Sequence, residues 1–214
     1  MKDKKKAATK KKTASAPRKT GAGASSRASR GGSKASAAAQ VVLERGSATR
    51  DEALALFDSL PPIADLAFMF GRWTGSGIDS DHPMDGLLEN YAWYGKEFIS
   101  EDHVHPLLFQ SGGGKIFRVN PALMPMGMAL KFPFLKRGFM RGVFRLGRPI
   151  LQTSKTGARL RLISHRGKVS ATMAYDALPI HDVFRRIDEN TVMGLMDYKG
   201  MQDPFFFVLN RVDG

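Results

Sequence analysis

Residues 158–211 read ARLRLISHRGKVSATMAYDALPIHDVFRRIDENTVMGLMDYKGMQDPFFFVLNR, and the spacing in this stretch decides the fold. Apolar side chains recur at alternate positions in short runs, and Arg166-Gly167, Asp188-Glu189-Asn190 and Lys199-Gly200 separate the runs. Alternation places successive side chains on opposite faces of a strand, while Gly, Asn and Asp supply turn conformations. The stretch therefore predicts strands over 158–165, 168–175, 180–187, 191–198 and 204–211, joined as an antiparallel meander.

The same rhythm extends upstream of the turn Lys155-Thr156-Gly157. It gives candidate strands over 72–79, 92–99, 104–109, 115–119 and 148–153, with Gly112-Gly113-Gly114-Lys115 as a hairpin turn. Ahead of them, Thr49-Arg50-Asp51-Glu52 has capping-box spacing, and Leu54, Leu56, Phe57 and Leu60 follow before Pro61-Pro62. This predicts a helix over about 50–60; a second short turn, Ile63 to Phe70, ends at Gly71. A meander of so many strands must close on itself or cover its edges. The expected fold is mainly β: an antiparallel β-barrel with a short N-terminal helical segment.

The net charge of +13 is unevenly placed. Residues 1–36 carry twelve Lys and Arg against Asp3 alone, which leaves a nearly neutral remainder. The first aromatic residue is Phe57, so the Lys-, Ala- and Ser-rich stretch has little with which to offset chain entropy. We expect 1–46 to be a disordered basic tail and 47–214 to be the folded domain. Such a tail either only solubilises the chain or contacts nucleic acid non-specifically through residues 2–34. Zero cysteine excludes disulfide scaffolds, thiolate metal sites and cysteine nucleophiles. No apolar run is long enough to cross a bilayer and no secretory signal is evident, so a cytoplasmic location is expected.

Several motifs occur in order. Gly71-Arg72-Trp73-Thr74-Gly75 is a G-x-W-x-G sequence at a helix-to-strand junction, with His82-Pro83 and Trp93-Tyr94-Gly95-Lys96 after it. Tyr175-Asp176-Ala177-Leu178-Pro179-Ile180-His181-Asp182-Val183-Phe184-Arg185, Gly194 to Gly200 and Phe205 to Arg211 complete the set. Over about residues 53–212 the chain resembles bacterial GXWXG-domain proteins with their associated C-terminal domain of unknown function. The G-x-W alone also resembles calycins, the lipocalin, fatty-acid-binding and nitrobindin-like barrels. That resemblance implies an Arg near the end of the last strand lying over the Trp of the first, a place that Arg211 fills. Gly71, Trp73, Gly75 and Arg211 are thus expected as a structural motif closing one barrel end. A nitrobindin-like haem site would need a histidine on the last strands, and none follows His181.

The sequence carries no strong catalytic signature. It has no G-x-S-x-G elbow, H-E-x-x-H zinc motif, Walker loop or dinucleotide fingerprint. His103-x-His105 has metal-compatible spacing without a third ligand, so neither metal nor cofactor is expected. Residues 121–149 combine prolines, Met and Phe with six cations and no acid. They read as a portal over a cavity or as a packed crossover or homodimer contact. The leading expectation is a barrel that binds a small apolar or amphipathic molecule, with an anionic head as one option. Its candidate ligand residues are Trp93, Lys96, Met173, Tyr175, His181, Phe184 and Arg185. A cavity is expected among Trp93, Val169, Ala171, Met173, Tyr175, Phe184, Phe205 and Phe207, with small Gly75, Gly77 and Ala171 leaving room. The rivals are a nucleic-acid-associated protein acting through its tail and a small barrel enzyme using His181, Tyr175 or Asp197.

Overall fold

A computed structural model of the protein describes residues 35–124 and 146–212. The expected tail up to residue 34, and residues 125–145 of the expected portal, lie outside the described residues.

The described chain begins with helix α1 over 35–45, followed by α2 (Arg50–Ser59), β1 (Gly71–Gly77), α3 (Leu87–Asn90), β2 (Trp93–Phe98), β3 (Val104–Gln110) and β4 (Ile116–Arg118). Helical residues 146–151 form α4. The C-terminal strands are β5 (Ala158–His165), β6 (Lys168–Tyr175), β7 (Ile180–Arg186), β8 (Thr191–Tyr198) and β9 (Phe205–Arg211). All pair antiparallel in the order β2-β1-β9-β8-β7-β6-β5-β3-β4, and β2 also pairs with β3. The sheet therefore closes into a ring, with β4 hanging on β3 as a hairpin partner. The weak link is β3 to β5, joined in register only at Val104 and Ala158. Between β6 and β7 the ladder covers Thr172–Ala174 and then parts. The strand-like segment at Pro61–Ile63 fills the split: Ala171 N–H donates to the Ile63 carbonyl (2.8 Å) and Arg186 N–H to that of Pro61 (3.0 Å).

Two cores follow from the alternation. Trp73, Trp93, Phe98, Phe109, Leu160, Met173, Phe184, Phe205, Phe207 and Leu209 point into the ring. Val183, Met193, Leu195, Phe206 and Val208 point outward and are covered by Ala39 and Val42 of α1 and by Ala53, Leu56 and Phe57 of α2. The capping box is formed, with Glu52 N–H donating to Thr49 Oγ1 (3.2 Å) and Thr49 N–H to Glu52 Oε2 (2.8 Å). At the other end, Lys168 Nζ donates to the Asp58 and Leu60 carbonyls, placing a cation on the helix C-terminus.

Two expectations on element boundaries need correcting. Residues 35–45 are helical and packed, not tail, because Ala35, Ala39 and Val42 share one face small enough to sit close on the sheet's outer side. Residues 148–153 are not a strand. Residues 146–151 are helical. Of the small residues expected to leave room, Gly75 does not, because a Cβ there would overlap the Trp93 six-membered ring; Gly194, outside that set, likewise faces the Phe207 ring. These glycines receive aromatic rings.

Candidate functional site

The site arises from one irregularity in β2. Trp93 pairs with Phe109, Gly95 with Leu108, and Glu97 with His105, so the β2–β3 register shifts on both sides of Gly95. Gly95 has φ +146°, and a Cβ there would collide with the Trp73 carbonyl, so only glycine fits. Strict alternation from Trp93 would send Lys96 outward. Instead the bulge turns Trp93, Lys96 and Phe98 all inward, with Lys96 opposite Trp73 in the β1 ladder. On β7, Asp182 shares the inward face with Ile180 and Phe184.

Lys96 Nζ lies 2.8 Å from Asp182 Oδ2, and the two side chains are 3% and 2% exposed. The ammonium also donates to the Pro106 carbonyl at 3.3 Å. Around it stand the rings of Phe207 (5.1 Å), Trp93 (5.6 Å) and Tyr175 (5.8 Å), measured to their centroids. Burial pushes the Asp182 carboxyl above the usual carboxylate range, while Lys96 and then Tyr175 pull it back. Burial, and then the Asp182 charge, push the buried hydroxyl of the partly exposed Tyr175 well above its ordinary value. Among the described residues, two buried polar atoms of this interior have no hydrogen-bond partner, Asp182 Oδ1 and Trp93 Nε1.

The candidate residues divide cleanly. Trp93, Lys96, Met173, Tyr175 and Phe184 face the ring interior, with Phe205 and Phe207. His181 does not join them, because it is exposed on the outer face opposite Asp197. Arg185 is fully buried but also outside the ring, stacked on Phe57 of α2 at 4.8 Å and donating to the His165 carbonyl at 2.9 Å. Val169 is 53% exposed and lines no interior. Asp182, absent from the sequence-derived set, is the residue that completes the site. An acid flanked at two-residue spacing by Ile180 and Phe184 was its signal. Tyr175 lies inside while His181 and Asp197 lie outside, so the three do not form one acid–base group. Among the described residues no three His, Asp or Glu side chains converge as a metal site.

At the end marked by the G-x-W-x-G sequence, Trp73 is fully buried and donates from Nε1 to the Met69 carbonyl at 2.8 Å. The Arg211 guanidinium lies 4.2 Å above the Trp73 ring and donates to the carbonyls of Phe70 (3.0 Å) and Phe68 (2.6 Å).

Two family models match, "GXWXG protein" over residues 55–114 and "Domain of unknown function (DUF4334)" over 156–211. A solved structure, titled "Crystal structure of protein from Thermomonospora curvata", is similar at 32% identity and a TM-score of 0.64, over 84% of this chain and 99% of that one. This chain belongs to the GXWXG/DUF4334 family. No curated protein matches it. The GXWXG match contains Trp73, Trp93 and Lys96, and the DUF4334 match contains Met173, Tyr175, Asp182, Phe184 and Arg211. Both the Lys96–Asp182 pair and the Trp73–Arg211 contact thus bridge the two matched segments of a GXWXG/DUF4334 chain. No helix among the described residues is long and apolar enough to cross a membrane.

Proposed function

We propose that this chain is a calycin-like β-barrel that binds a small apolar or amphipathic molecule, anchoring its polar end at Lys96, Asp182 and Tyr175. One observation carries the reading: an ion pair is held almost dry inside an otherwise aromatic and aliphatic ring. Taking two charges out of water costs several kcal/mol each, and a well-packed apolar pair of similar volume is commonly as stable or more so. Folding alone therefore gives no reason to keep the pair. A polar ligand group arriving in a low-dielectric interior does, because fixed charges act there with little competition from water. Trp93, Met173, Phe184 and Phe207 supply the apolar contact for the rest of such a molecule.

The test is to purify the full chain without detergent, denature it, and identify the extracted small molecules by mass spectrometry. One amphiphile present in near-equimolar amount supports the reading. An empty extract, together with no binding of a dansyl-labelled aliphatic probe, refutes it.

A further inference from the structure

We infer that the polar end of the bound molecule is an uncharged hydroxyl group, held between Asp182 Oδ1, Trp93 Nε1 and the third proton of Lys96. The inference rests on the ligand-binding reading above and fixes the chemical class of the ligand.

Hydrogen-bond inventory decides it. Lys96 has three protons; Asp182 Oδ2 takes one and the Pro106 carbonyl another, which leaves one directed at no oxygen among the described residues. Trp93 Nε1–H, in a residue 8% exposed, has no acceptor among the described residues. Asp182 Oδ1, in a residue 1% exposed, has no donor among the described residues, although the Tyr175 hydroxyl hydrogen-bonds the same carboxylate group. Both side chains with an unmet atom border the same ammonium, Asp182 through Oδ2 at 2.8 Å and Trp93 with its ring centroid at 5.6 Å. Beside the Tyr175 hydroxyl, which hydrogen-bonds the Asp182 carboxylate, the interior therefore offers two donors and one acceptor, and leaving each unmet is costly. An alcohol oxygen has one proton to give and two lone pairs to receive. A carboxylate would satisfy the donors but set a second negative charge beside Asp182. A protonated amine would satisfy Asp182 but leave both donors unmet and face the Lys96 charge. The charge of Lys96 is already balanced, so an anionic head gains nothing from it that Asp182 does not take away.

The experiment uses the full chain and a dansyl-labelled fatty alcohol as reporter, displaced in turn by dodecanol, dodecanoate and dodecylamine. Dodecanol is expected to compete at roughly ten-fold lower concentration than either charged analogue. Trp93→Phe, which keeps an aromatic ring and removes the indole N–H, is expected to weaken dodecanol about five- to ten-fold and to leave the ranking of the other two unchanged. Dodecanoate or dodecylamine competing as well as dodecanol overturns the hydroxyl assignment while leaving ligand binding in place. An unchanged dodecanol affinity in Trp93→Phe also overturns it. Absence of any reporter binding to the unmodified chain overturns both readings. The head-group ranking needs no variant, so poor folding of Trp93→Phe does not shield the inference.

Discussion

Breaking the buried pair one side at a time, and then both sides together, separates what it does for stability from what it does for binding. In Lys96→Met the Asp182 carboxylate stays at 2% side-chain exposure with its counter-charge gone. Removing one partner of such a pair costs about 3–5 kcal/mol, because the remaining charge is buried without compensation. Asp182 can escape that cost by taking up a proton. Its carboxyl is already raised by burial and loses the Lys96 pull that holds it down. An acid whose folded pKa lies above its unfolded one holds more protons in the folded state across that window, so stability falls as pH rises through it. Lys96→Met should therefore unfold near the wild-type urea midpoint at about pH 4, where unfolded carboxyls are half protonated, and lose most of the 3–5 kcal/mol by about pH 8. The double variant Lys96→Met with Asp182→Leu has no buried charge, and it should lie within about 1 kcal/mol of wild type, or above it, at both pH values. Urea unfolding followed by near-ultraviolet circular dichroism reads all three proteins. A single variant with no pH-dependent loss, or a double variant as unstable as the single, would refute the argument that the pair is buried at a cost to folding.

Four further outcomes are expected. Arg211→Ala removes the contact with Trp73 and two hydrogen bonds to the Phe68 and Phe70 carbonyls, and should cost about 1–3 kcal/mol of unfolding free energy. Gly75→Ala forces the Trp93 ring aside and should cost about 1–3 kcal/mol while also weakening dansyl-alcohol binding, an effect that a remote destabilising change would not share. Burial, and then Arg118, hold the His105 imidazole below its ordinary pKa, so the unfolded chain binds more protons there; stability should fall as pH drops below about 6.5, and His105→Leu should flatten that limb of the pH–stability curve. Any salt-sensitive DNA retention by the full chain should be lost from a chain starting at residue 35, and one starting at residue 47 should in addition lose about 2 kcal/mol of stability with the buried contacts of Ala39 and Val42, as DNA-column and unfolding assays would show.

Periodicity and turn chemistry made most of the sheet legible. The strands over 158–165, 168–175 and 191–198 have the expected bounds, and the remaining ones differ by only a residue or two at their ends. The 148–153 segment misled because two adjacent apolar residues, Ile150 and Leu151, carry no period at all. The Ala-rich 35–45 segment misled because alanines look too small to form a core; a helix packed closely on a sheet favours that smallness. Alternation sends His181 and Arg185 to the face opposite Asp182 and Phe184, which is the outer one, whereas Val169 shares the parity of Ala171 and Met173 and is exposed all the same. Lys96 was legible only as part of its motif. Its inward direction depends on the bulge at Gly95, and a bulge reverses every parity argument made across it. The Arg211 position over Trp73 needed no such step, because Trp73 and Arg211 are directly opposed in the β1–β9 ladder.

The most direct measurement compares the small molecule carried by the full-length wild type with that carried by the Lys96→Met, Asp182→Leu double variant, both purified identically and extracted for mass spectrometry. The account predicts one hydroxyl-bearing amphiphile in near-equimolar amount on the wild type, and its loss from a double variant that remains folded. An empty wild type, or a double variant that carries the same molecule in the same amount, would contradict it.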